Sequence, residues 1–145
     1  MSSTEIISHI RFIKGGAHTM DVNALNTSYT NWFKQNFKFT SHPDFIEIQT
    51  PFTDPLHDYI ALVLIPTKNG FCLSDDGYTL NELATRNFDL TCAQPVLQSL
   101  GITVNAQQEL TVTFPDLAAL PAAQNRLIQG ILQLYGMAAT PFPTQ

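Results

Sequence analysis

Tyr59-Ile60-Ala61-Leu62-Val63-Leu64-Ile65 runs for seven residues without a charged, amide or hydroxyl-bearing aliphatic side chain. A short unbroken apolar run rich in branched residues is the pattern of a strand covered on both faces. Asn69-Gly70 follows shortly after and is the strongest local signal for a two-residue hairpin turn. Phe71-Cys72-Leu73 then reads as the returning strand. With Asn69 and Gly70 as the turn, paired residues have numbers summing to 139, so Asp75 stands opposite Leu64. An antiparallel pair at the centre of a sheet is therefore the element the rest of the chain must cover.

The covering elements are legible from their periods. Asp21 is a good helix N-cap, and Val22, Leu25, Tyr29, Trp32, Phe33 and Phe37 recur at helical steps. They fall within about 140° of arc, a core-facing stripe, so a helix is expected over 22–36. Phe45-Ile46-Glu47-Ile48-Gln49 alternates as a strand with one wet face. Thr79-Leu80-Asn81-Glu82 fits a capping box that opens a short helix ending near Arg86. Pro95 and Gly101 frame another over 94–100. Ile102-Thr103-Val104 and Leu110 to Phe114 form a second hairpin across the Asn105-to-Gln108 turn.

A last helix is expected over 121–138, with Leu127, Ile128, Ile131, Leu132, Leu134 and Tyr135 spanning about 160° of it, wider than a small core requires. The fold class is α+β. It consists of an antiparallel sheet of about five strands in two hairpin-like units, packed with amphipathic terminal helices and short helices between. Residues 20–139 form the single domain and 140–145 a flexible tail. Residues 1–19 read as a non-native or disordered leader. Lys14-Gly15-Gly16 can be encoded by a purine-rich ribosome-binding stretch, which makes Met20 the expected native start.

Charge narrows the function. Charged residues are only 13% of the 145, with seven Lys+Arg and a net charge of -5. That leaves no broad basic face for nucleic acid, and twelve Asp+Glu are too few to imitate a phosphate backbone. The longest apolar run is far short of the ~20 residues that cross a bilayer. Cys72 and Cys92 lie in apolar surroundings and read as buried free thiols of a cytoplasmic protein, bacterial or in a phage-infected host cell.

Chemistry concentrates in one stretch, Thr50 to Tyr59, and its counterpart after the hairpin, Leu73 to Thr79. Together they hold Asp54, His57, Asp58, Tyr59, Asp75, Asp76 and Tyr78, the candidate binding residues. Such a set could hold a metal or work as an acid and base. The hairpin register argues otherwise, placing Asp58 six residues, about 20 Å, along the strand from Asp75. Only a chain reversal at Asp76-Gly77 could carry the Thr79 helix and its Glu82 back toward Asp58. The aspartates read instead as turn and cap residues bonded to nearby backbone. His57 reads as a solvated turn histidine, Ser74 lacks a nucleophile-elbow setting, and Cys92 has no basic neighbour. His18 and His42 do not complete a metal-ligand spacing with the cysteines. No catalytic residue, metal or cofactor is expected.

The ordered pattern Glu47-Ile48-Gln49-Thr50-Pro51-Phe52, Asp54, Asp58-Tyr59-Ile60 and Leu73-Ser74-Asp75-Asp76-Gly77-Tyr78-Thr79 resembles the family catalogued as domain of unknown function 1828. The resemblance spans about Met20 to Ala139. It implies a compact intracellular domain of Gram-positive bacteria, their phages and mobile elements, and no reaction. The sequence is therefore read as a non-enzymatic binding protein that engages a protein partner, such as a host-defence component. The last helix would offer Leu127, Ile131, Leu134 and Tyr135 to that partner or to a second copy in a homodimer. The alternatives are a metal-dependent hydrolase or nuclease using the acidic turns, and a small-ligand sequestering protein with a pocket between sheet and helices.

Overall fold

The computed structural model describes residues 20–139; the expectations for 1–19 and 140–145 lie outside the described residues. The chain divides into two compact units with the boundary between Phe33 and Lys34, inside the first helix. That helix, α1 (Val22–Asn36), opens behind Asp21, whose carboxylate accepts the Asn23 N–H at 3.0 Å. None of its residues is buried; of the expected stripe Val22, Leu25, Tyr29, Trp32 and Phe33 are exposed, while Phe37, just past the helix end, is buried. A 3.6-residue period says which side chains share a face; it does not say that a surface covers them.

The second unit is built on a sheet of β1 (Lys38–Ser41), β2 (Ile46–Thr53), β3 (Tyr59–Thr67), β4 (Gly70–Ser74), β5 (Thr103–Val104) and β6 (Leu110–Phe114). The order is β1-β2-β3-β4-β6-β5, with every neighbouring pair antiparallel. The fold is α+β, with six strands in place of about five. The additional one, β1, lies along β2 with Lys38 opposite Gln49, and all four of its residues are exposed. A short wet edge strand has no apolar alternation by which to announce itself.

The central hairpin turns one step earlier than its Asn-Gly signal suggests. Thr67 pairs with Gly70 and Val63 with Ser74, so Lys68-Asn69 is the turn and paired numbers sum to 137. Gly70 is needed for close approach: at φ +151° an added Cβ would lie 2.4 Å from the Phe114 carbonyl oxygen of β6. A slip of two residues keeps every side chain on its expected face, so the core is unaffected.

That core is the β2-β3-β4-β6 face carrying Ile48, Leu62, Leu64, Leu73 and Val112, closed by the last helix, α4 (Leu120–Ala139). Between them in sequence lie α2 (Tyr78–Ala84) and α3 (Gln94–Ser99), the latter preceded by a 3-10 turn, Leu90–Ala93. The helix packs against β4 and β6, and Leu127, Ile131, Leu134 and Tyr135 are only 0–2% exposed. The face expected to be offered to a partner is thus the inside of the molecule. It is wide because helix and sheet enclose it together, and each buried leucine there stabilises the fold by about 1.5–3 kcal/mol.

The thiols divide. Cys72 is half-buried, but Cys92 is exposed, because the 3-10 turn directs Ala93 inward and its neighbour out. Among the described residues no helix is long and apolar enough to cross a membrane.

Candidate functional site

Two tight reversals form the site. The first joins β2 to β3. Asp54 sits at its corner, 5% exposed, with Oδ1 accepting the N–H groups of Leu56 at 2.8 Å and Asp58 at 3.1 Å. Its own N–H donates to the Asp58 carbonyl at 2.9 Å, and His57 takes a left-handed conformation at φ +66° to close the loop. The second follows β4. Asp75, 3% exposed, accepts Gly77 N–H and Leu110 N–H on one oxygen and Thr79 N–H on the other, at 2.9–3.1 Å. It therefore caps α2 and ties the turn to β6 in one stroke. The expected capping box fails for that reason: Thr79 lies buried inside the helix, and Gly77 is the N-cap without a side-chain bond. Asp76 at φ +61° and Gly77 at φ +81° reverse the chain over two left-handed residues.

That reversal returns α2 to β3. The Tyr78 hydroxyl donates to Asp58 Oδ2 at 2.9 Å, joining two reversals that strand register alone placed far apart. The expected separation was too long by two residues: in the observed register a straight β4 would set Asp75 opposite Leu62, four residues or about 13 Å along the strand from Asp58. Even that does not hold, because β4 stops at Ser74, opposite Val63, and the chain beyond it folds back.

The early end of β4 also opens a hollow. The Thr50 hydroxyl donates to the Ile60 carbonyl and Asp54 N–H to that of Asp58, so these residues turn their main-chain groups toward β2. By strand alternation Tyr59 and Ala61 turn theirs the other way, toward the space β4 has vacated. This space has a volume of about 610 Å³. Its acidic wall holds Asp54, Asp58, Asp75 and Asp76; Tyr59 and Tyr78 stand at its rim, and Ile131 and Tyr135 lie behind. Phe45, Glu47 and Ala61 extend the lining along the sheet. Of the candidate binding residues only His57, exposed on the first loop, is outside the lining.

Tyr135, like Leu127, Ile131 and Leu134, is buried where the helical stripe suggested an offered face. It is 1% exposed and its hydroxyl has no hydrogen-bond partner. Burial raises its phenol above the ordinary value of 10.0, Asp54, Tyr78 and Glu82 push the same way, and Arg86, with its guanidinium 6.0 Å from the ring centroid, opposes them. Nothing in an apolar helical stripe marks one tyrosine as the one whose oxygen finds no acceptor. The Tyr78 phenol is pushed up to about 12, first by its hydrogen bond to Asp58 and then by burial and the charges of Asp58, Asp54 and Glu82.

Ser74 is 1% exposed; its Oγ donates to Glu109 Oε1 at 3.3 Å and accepts Asp76 N–H at 3.0 Å. Among the described residues no three His, Cys, Asp or Glu side chains are placed to hold a metal ion. Asp54 and Asp75 bind backbone, the role given to turn and cap residues.

The model of the family described as Domain of unknown function DUF1828 matches residues 50–134. The chain belongs to this family. The matched segment carries both reversals and all the hollow's acidic wall, with Tyr135 one residue past its end. No curated protein and no solved structure matches the chain.

Proposed function

We propose that this member of the DUF1828 family is a non-enzymatic binding protein and that the hollow beside β3 is its working surface. The observation that carries the reading is the occupation of the acidic wall: Asp54 and Asp75 already accept five backbone N–H groups between them, and Asp58 accepts Tyr78. Carboxylates so engaged have fewer lone pairs free for a metal ion, yet they still present negative potential to whatever enters. The volume of about 610 Å³ lies in the ordinary range for ligand sites, roughly 300–1,000 Å³. It suits a side chain projecting from a protein partner, such as a component of host defence. The same volume favours a second reading, a small molecule held by the hollow alone. A cytoplasmic setting goes with both.

Ala61 lies exposed on the hollow's lining, so Ala61→Trp plugs it without touching the core. The test compares what wild type and Ala61→Trp retain from a bacterial lysate, alongside phosphodiester hydrolysis with Mn²⁺. A species held by wild type and released by the plug is the expected result. Hydrolysis that disappears in Asp58→Asn, or retention indifferent to the plug, refutes the reading.

A further inference from the structure

We propose that the hollow takes an organic cation bearing N–H donors, an ammonium or guanidinium group, with the Tyr135 oxygen accepting from it. The inference rests on the reading of the hollow as a binding surface and names the chemistry of its occupant.

Two independent observations meet there. The first is charge: five of the fifteen lining residues are carboxylic acids, and none is Lys, Arg or His. Two basic side chains touch lining residues from outside the lining, His42 with Nε2 3.7 Å from Glu47 and Arg86 with its guanidinium 6.0 Å from the Tyr135 ring centroid. The second is the orphaned Tyr135 hydroxyl, fully buried yet part of the lining. A buried hydroxyl without a partner carries a desolvation penalty that a donor entering the hollow removes.

The remaining wall fits the same ligand. Tyr59 and Tyr78, both exposed, bring aromatic rings to the lining, and Phe45 adds a third whose one face is stacked on His42 at 4.5 Å; such rings attract organic cations and do little for a hydrated metal ion. The main-chain carbonyls of Tyr59 and Ala61, turned away from β2, add acceptors on the strand side. A bare divalent ion is the poorer fit, since it needs several free carboxylate oxygens at close range, and Asp54 and Asp75 are engaged with backbone.

The test is an amide-resolved NMR titration of the full chain with agmatine and, separately, with the peptide acetyl-Ala-Arg-Ala-amide. 1,4-Butanediol and glutarate serve as neutral and anionic controls. Either cationic probe is expected to shift the amides of Ala61, Asp76 and Tyr78, with affinity falling roughly tenfold in Asp58→Asn and in Tyr135→Phe. Both variants are checked for an unchanged amide spectrum without ligand. Agmatine alone points to a free amine, the peptide alone to a partner's side chain, and either result upholds the cation site. If neither shifts those amides at millimolar concentration, or both bind the variants as well as wild type, the cation site is refuted. Butanediol or glutarate shifting the same amides refutes the cation while leaving the binding surface intact. Silence from all four probes, with Ala61→Trp indistinguishable from wild type in lysate retention, removes both.

Discussion

Replacing Tyr135 with Phe removes one oxygen from the bottom of the hollow and leaves the ring in place. In the ligand-free protein that oxygen is buried and unpartnered, a condition costing about 1–3 kcal/mol. Tyr135→Phe should therefore stabilise the protein at pH 7, by about 1–2 kcal/mol once the lost contacts of the oxygen are counted. The unfolding entropy of roughly 2.1 cal/mol/K per residue, over the ~120 described residues, gives about 0.25 kcal/mol/K, so the melting temperature should rise by about 4–8 °C. A second signature separates this account from simple repacking. The folded phenol is raised above its unfolded value of 10.0, so the wild-type fold is protected below about pH 10 and loses stability as the unfolded chain deprotonates above it. Tyr135→Phe lacks that loss, and its advantage over wild type should widen between pH 9 and 11. Urea unfolding with an unchanged m-value measures both. Destabilisation by about 1 kcal/mol or more at pH 7 would show that the hydroxyl has a partner, and an advantage that stays flat with pH would contradict its burial. A bound organic cation should narrow or reverse the gain.

Asp75→Ala leaves the N–H groups of Gly77, Thr79 and Leu110 without their acceptor and should cost about 3–5 kcal/mol by chemical denaturation, with Asp75→Asn milder because one acceptor oxygen survives. Gly70→Ala drives a Cβ into the Phe114 carbonyl and should destabilise by about 2 kcal/mol or more, read as a lower urea midpoint. Asp58→Asn removes the main cause of the raised Tyr78 phenol. Absorbance at 295 nm should then show that tyrosine ionising nearer pH 10 than 12, with less stability lost across that interval. His57→Gly relieves a left-handed residue at φ +66° and should leave stability unchanged or raise it by up to about 1 kcal/mol, with retention on the hollow unaffected.

Much of the frame can be read directly from side-chain order. The β3-β4 pair, the second hairpin, the helix framed by Pro95 and Gly101, and the final helix all follow from local chemistry: period, turn residues and caps act over a few positions and leave their mark in the residues themselves. So did the role of Asp54 and Asp75 as turn residues. The strand β1 leaves no mark because a short exposed edge has no apolar rhythm, and the capping-box pattern at Thr79 misleads because Asp75, four residues earlier, supplies the α2 cap.

What sequence alone determined is the set of elements and the residues that punctuate them. Only the tertiary structure decided which faces are covered, turning the last helix's broad stripe inward. It also decided that β4 ends early, which swings α2 back to Asp58 and opens the space where Tyr135 waits without a partner. Periods and turns are local properties of the chain. Burial and the satisfaction of a buried hydroxyl depend on residues dozens of positions away, brought close only when the sheet and helices pack together.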